Sequence, residues 1–110
     1  MTTNNNSMQG KVCLVTGSSS GIGKVTAREL AKMGATVVMV CRNRAKGEAA
    51  QAEIKEKSSN DQVDLLVADL SELSQVRRVA SEFKQKYTQL HVLINNAGER
   101  IASTKLPRRG

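Results

Sequence analysis

The chain has 110 residues, 39% of them apolar, 25% charged and 2% aromatic, with a formal net charge of +7, a length that predicts one domain with a modest core. Its longest apolar run, Ala35–Cys41, still contains Thr36 and falls far short of the ~20 residues of a membrane-spanning helix. The polar start MTTNNNSMQGK has no signal-peptide core, and two cysteines are too few for a disulfide scaffold, so the cytoplasm is the expected compartment.

After a polar leader over residues 1–10, Lys11–Thr16 (KVCLVT) predicts a short buried strand, dense in apolar and β-branched side chains. A Gly/Ser turn leads into a helix over Gly21–Met33, with Ile22, Thr26, Leu30 and Met33 at helical spacing and Gly34 at the C-terminal cap. Thr36–Cys41 (TVVMVC) predicts a second buried strand. Asn43 is placed to cap a helix running to about Ser58, whose thin apolar face is Gly47, Ala50 and Ile54. A polar turn precedes a third strand over about Val63–Val67. Ser71 is the expected cap of the next helix, with Leu73, Val76, Ala80, Phe83 and Tyr87 forming its stripe and Arg77, Arg78 and Lys84 facing water. The fourth strand, His91–Asn95, runs into Asn96-Ala97-Gly98.

Near-continuous apolar strands alternating with helices predict a parallel sheet covered on both faces. Right-handed crossovers give the strand order 3-2-1-4 and place a ligand crevice where strands 1 and 4 diverge. The expected architecture is therefore an α/β, Rossmann-type half-domain over residues 11–98, with four strands and three helices. Residues 99–110 (ERIASTKLPRRG) carry four basic and one acidic residue, lack any apolar period and are expected to form a disordered basic tail. The basic residues elsewhere are scattered and aromatic side chains are nearly absent, which argues against a nucleic-acid partner.

The spacing Gly17-Ser18-Ser19-Ser20-Gly21-Ile22-Gly23, between a strand and a helix, carries the chemistry. The first glycine permits a tight turn, the second leaves room for a pyrophosphate against the backbone, and the third allows close packing of helix on sheet. Free amides and the positive end of the helix dipole favour the pyrophosphate, and Ser18, Ser19 and Ser20 add hydroxyl donors. An ordinary Gly/Ser turn is the plainer alternative. No Gly-Lys-Ser/Thr closes the run, so it is not a Walker loop.

At the end of strand 2 the run Val40-Cys41-Arg42-Asn43-Arg44 has no acid until Glu48. An acid there would grip the ribose 2′-hydroxyl of NAD, whereas Arg42 can pair with the 2′-phosphate of NADP. Arg42 thus argues for NADP over NAD, unless it is simply a solvent-exposed charge.

The run Thr16–Gly23, the pair Asp69-Leu70 after strand 3 and Asn95-Asn96-Ala97-Gly98 after strand 4 together resemble the short-chain dehydrogenase/reductase family. Stretches such as CRNRAKGEAA and LHVLINNAG are similar to its retinol dehydrogenase-like branch, over about residues 8–98. The resemblance implies NADP(H)-dependent hydride transfer to or from a carbonyl or alcohol. It implies that Asp69 and Leu70 lie beside adenine, that Asn96, Ala97 and Gly98 border the ribose, and that Asn95 ties the sheet together. Asp69 could equally be a carboxylate favoured by a helix start, and Asn95-Asn96 a local turn.

The family's catalytic serine and Tyr-x-x-x-Lys pair have no counterpart in this sequence. Tyr87 is followed four positions on by His91, not lysine, and sits in a packing stripe. No catalytic residue and no metal site is therefore expected, and the chain alone is expected to be inactive, as a truncated or alternatively spliced form would be. The competing reading is a non-catalytic nucleotide-binding or dimerisation module, self-associating or pairing with a full-length homologue through the exposed edge of strand 4.

Overall fold

The computed structural model describes residues 7–96. Ala97, Gly98, residues 1–6 of the expected leader over 1–10, and the expected tail over 99–110 lie outside the described residues. The elements run β1 (Val12–Thr16), α1 (Gly21–Lys32), β2 (Thr36–Cys41), α2 (Arg44–Ser58), β3 (Val63–Val67), α3 (Leu73–Lys86) and β4 (Val92–Ile94). All strand pairs are parallel and the sheet order is β3-β2-β1-β4, as the alternation of apolar strands and helices predicts.

The period-two pleat of each strand divides the core between two faces. Cys13 and Val15 of β1, with Val37, Met39 and Cys41 of β2, point to the face covered by α1 and α2, where Ala27, Ala31, Ala50 and Ile54 meet them. Leu14, Val38 and Val40 point the other way, onto Val79 and Phe83 of α3. Both cysteines are free and buried, and burial pushes the Cys13 thiol above its usual range.

Gly34 closes α1 in a left-handed turn at φ +93°. Its N–H donates to the Ala31 carbonyl at 3.0 Å and that of Ala35 to Leu30 at 3.1 Å, the paired bonds of a Schellman ending. Asn60 locks the same corner, its amide donating to the carbonyls of Ala31 and Ala35 at 2.9 Å each. At the start of α2 the Asn43 side chain accepts from the Lys46 N–H at 2.9 Å, as expected of an N-cap. Asn43→Ala should cost about 1 kcal/mol, measurable as a lowered midpoint in urea unfolding with an unchanged slope.

The helix faces differ from expectation in three places. In α1 the buried positions are Gly23, Ala27 and Ala31, one residue away from the predicted stripe, and Ile22 is 77% exposed. A backbone that must approach the sheet closely turns small residues inward, whatever the larger neighbours would prefer. In α3 the buried positions are Val79 and Phe83, which pack with Leu14 and Val38; Val79 replaces Ala80 of the expected stripe, and Leu73 and Val76 are exposed. Ser71 does not cap α3, whose N-cap is Glu72 without a side-chain bond; the Ser71 hydroxyl donates to Asp69 Oδ1 at 2.7 Å instead.

Candidate functional site

The carboxyl ends of β1, β2, β3 and β4 gather the glycine loop, Arg42, Asp69 and Asn96 at one end of the sheet. Two glycines of the loop are left-handed, Gly17 and Gly21 both at φ +60°, a conformation that costs a side-chain-bearing residue about 1–2 kcal/mol. The Gly17 N–H donates to the Val40 carbonyl at 2.9 Å, which ties the loop to β2. A methyl built on Gly23 would lie 2.1 Å from the Gly17 carbonyl oxygen and 2.8 Å from Asn96 Nδ2. The turn, the helix start and the end of β4 are therefore in direct contact.

A methyl built on Gly21, in contrast, meets nothing within 4 Å, so the loop fronts open space there. Ser20 is the N-cap of α1 but makes no side-chain cap bond, and the first helical turn holds no acid. The amides of that turn are left facing outward, at the positive end of the helix dipole. Of the three serine hydroxyls expected there, that of Ser18 turns inward. Ser18 is fully buried, its hydroxyl donates to the Val15 carbonyl at 3.0 Å and it lies 3.6 Å from Cys41 Sγ. Ser19 is half-buried and Ser20 and Ile22 are exposed.

Thr16 joins the loop to β4, a role that the apolar character of β1 conceals. Its hydroxyl donates to Asn95 Oδ1 at 3.0 Å and accepts from the Asn96 N–H at 2.7 Å. The only advance signal is a polar, β-branched residue closing an otherwise apolar strand directly before Gly17.

Arg42 follows β2 and is exposed. It makes no hydrogen bond or ion pair with any described residue, whereas Arg44 is 3.6 Å from Glu48 one turn along α2. Asp69 lies beyond β3, with Leu70 half-buried against the α3 side of the core. Asp69 Oδ1 accepts from the Ser71 hydroxyl at 2.7 Å and from the Ser71 N–H at 3.0 Å. Those two bonds, with a smaller contribution from the Arg42 charge, hold its carboxyl below the usual carboxylate range.

Tyr87 and His91 lie toward the opposite end of the sheet. The Tyr87 hydroxyl donates to Asp64 Oδ2, and burial together with that carboxylate pushes its pKa up. His91 Nδ1 accepts from the Val12 N–H at 2.9 Å. A groove along the outer edge of β3, lined by residues including Arg44, Glu48, Asp64 and Lys86, has its charges already paired, Arg44 with Glu48 and Lys86 with Asp64. It offers a ligand less unsatisfied chemistry than the glycine loop. Among the described residues no group of three or more His, Cys, Asp or Glu could hold a metal ion, and no helix is long and apolar enough to cross a membrane.

The profile of the short chain dehydrogenase family matches residues 11–107. Human retinol dehydrogenase 12 is 48% identical over 91 residues, which is 83% of this chain and 29% of that protein. Human dehydrogenase/reductase SDR family member 12 is 48% identical over 101 residues, 92% of this chain and 32% of that protein. Among solved structures, a short chain dehydrogenase from Shigella flexneri complexed with NADP superposes with a TM-score of 0.79 at 29% identity, covering 86% of this chain and 40% of the other. L-sorbose reductase from Gluconobacter frateurii, complexed with NADPH and L-sorbose, gives 0.77 at 35% identity, covering 84% and 35%. The chain thus spans about a quarter to a third of the length of the curated relatives it matches.

Proposed function

The chain belongs to the short-chain dehydrogenase family, retinol dehydrogenase-like in sequence, and from that premise we propose that residues 11–98 form the NADP(H)-binding portion of an oxidoreductase. The nicotinamide cofactor, when bound, would supply a hydride to a carbonyl carbon in its reduced form or accept one from an alcohol carbon in its oxidised form. The observation that carries this reading is the juxtaposition at one sheet end of a left-handed glycine facing open space, an uncapped helix start and a guanidinium that forms no hydrogen bond or ion pair with any described residue. The amides of Gly21, Ile22 and Gly23 donate to the diphosphate, assisted by Ser19, Ser20 and the helix dipole. Ser18 serves from below: its backbone shapes the loop and its hydroxyl holds the turn closed on Val15. Arg42 takes the 2′-phosphate, Asp69 and Leu70 border the adenine, and Asn96, with Ala97 and Gly98, borders the ribose.

The described residues bind and position rather than transfer protons. Tyr87 is already bonded to Asp64, at the far end of α3 from the loop. Structures of relatives solved with NADP or NADPH support the phosphorylated dinucleotide, and so does the absence of a carboxylate between Cys41 and Glu48.

Isothermal titration of the chain with NADP⁺ and NAD⁺ tests the proposal. NADP⁺ should bind more tightly, and no heat with either dinucleotide would refute the reading. Arg42→Ala should weaken NADP⁺ by about 1–3 kcal/mol, roughly 5- to 150-fold, through loss of a charge-assisted bond. It should leave NAD⁺ nearly untouched; equal loss for both would remove Arg42 from the phosphate site.

A further inference from the structure

We propose that Asp69 is a second specificity-determining residue: its carboxylate opposes Arg42 across the ends of β2 and β3 and moderates the preference for a 2′-phosphorylated dinucleotide. This rests on the cofactor reading above, and goes beyond it by giving Asp69 a role in choosing between dinucleotides, separate from any contact with the base.

The strand register makes the pairing. Cys41 stands opposite Val67 in the parallel β2–β3 ladder, and the Ala68 N–H donates to the Cys41 carbonyl at 2.9 Å. The chain therefore leaves both strands at the same level, Arg42 one residue past Cys41 and Asp69 two past Val67, near enough for the guanidinium charge to act on the carboxylate. Three features make the opposition persistent. Asp69 is fixed in direction, because one carboxylate oxygen is held by both the hydroxyl and the N–H of Ser71. It stays ionised, since those bonds and the nearby guanidinium favour the charged form. Arg42 has no competing hydrogen-bond or ion-pair partner among the described residues, and Glu48, the nearest acid along the chain, is taken by Arg44.

Arg42 thus stands beside one fixed negative charge, and a 2′-phosphate brought to it must share that neighbourhood with Asp69. A carboxylate within a screening length of a doubly charged phosphate, in a water-like dielectric, costs roughly three- to ten-fold in affinity. An uncharged ribose 2′-hydroxyl incurs no such cost. A hydrogen bond from adenine to Asp69 is common to both dinucleotides, so it cancels in their ratio. The ratio of NADP⁺ to NAD⁺ affinity therefore isolates the electrostatic role.

The decisive comparison is isothermal titration of the full chain and its Asp69→Asn variant with NADP⁺ and with NAD⁺, at low and high salt. Asparagine keeps an oxygen for Ser71 while removing the charge; Asp69→Ser serves as a second neutral variant should the first fold poorly. Neutralisation should raise the NADP⁺:NAD⁺ affinity ratio roughly three- to ten-fold at low salt, with the gain shrinking at high salt. An unchanged or lowered ratio while both dinucleotides still bind would overturn the role of Asp69 and leave the cofactor reading standing. A gain identical at both salt concentrations would show a steric effect and overturn it as well. Failure of the unmodified chain to bind either dinucleotide would overturn the cofactor reading and this inference with it.

Discussion

Gly23→Ala is expected to be strongly destabilising. The new Cβ would lie 2.1 Å from the Gly17 carbonyl oxygen and 2.9 Å from its carbon, both backbone atoms that no rotamer change can move. Gly17 is itself pinned, its N–H bonded to Val40 and its φ left-handed, and Asn96 closes the third side. Relief requires either lifting α1 from the sheet or breaking the turn. Overpacking a close-packed site costs about 1–3 kcal/mol and more where the backbone must shift, so a loss of about 3 kcal/mol is expected. For a domain of this size that lowers the thermal midpoint by roughly 10–20 °C, read by circular dichroism. Gly47→Ala is the internal comparison. Its Cβ would meet Leu65 Cδ1 at 3.0 Å, the movable end of a flexible side chain, and a helical glycine-to-alanine change returns about 1 kcal/mol of propensity. Gly47→Ala should therefore lie within about 1 kcal/mol of the parent. Equal damage from both variants would mean that α1 is not held against Gly17 as described.

The contrast between these glycines also shows what a linear reading of the chain captures. The sheet order was legible because each strand is a near-continuous apolar run, Asp64 of β3 being the one charged interruption, and each helix follows shortly, which leaves one right-handed winding. The α2 face of Gly47, Ala50 and Ile54 was legible too, because it carries Ile54, the one large apolar side chain of that helix, with small residues at helical spacing before it. The α1 face was not. Ile22, Leu30 and Met33 are the larger residues, yet Gly23, Ala27 and Ala31 are the ones buried, because the distance between helix and sheet is set by the Gly23–Gly17 contact. Side-chain size is a property of the residue; the distance available to it is a property of the fold.

The candidate site divides along the same line. Glycine spacing and the absence of an acid before Glu48 are local and can be read in order. The inward turn of Ser18 depends on the path of the loop over β1 and on Cys41, 23 residues away. The Thr16 hydroxyl finds its partners 78 to 80 residues on, at the end of β4. Ser71 has the composition of a helix cap, but a carboxylate two residues earlier competes for it, and the shorter loop wins because Asp69 offers a charged acceptor. Each of these departures arises where a polar side chain had several partners in reach and tertiary contacts chose among them.

Gly21→Val should separate binding from folding. The position is left-handed at φ +60°, which costs a side-chain-bearing residue at least about 1–2 kcal/mol, while a Cβ there meets nothing within 4 Å, so the first side-chain atom enters open space. The open space in front of Gly21 is where a diphosphate would have to meet the first-turn amides, and a branched side chain occupies it. Titration with NADP⁺ should therefore lose at least ~100-fold in affinity, about 2.7 kcal/mol, while the thermal transition stays cooperative. Gly10→Val supplies the control, since Gly10 is also left-handed, at φ +82°, and also open, but lies before β1 and away from the loop. It carries the same kind of backbone penalty, so any fall in affinity caused by general destabilisation should appear in both variants. Loss of NADP⁺ binding confined to Gly21→Val would place the diphosphate against the start of α1. If Gly21→Val bound NADP⁺ as tightly as the unmodified chain, the loop could not be the diphosphate site, and the preference expected of Arg42 would lose its anchor.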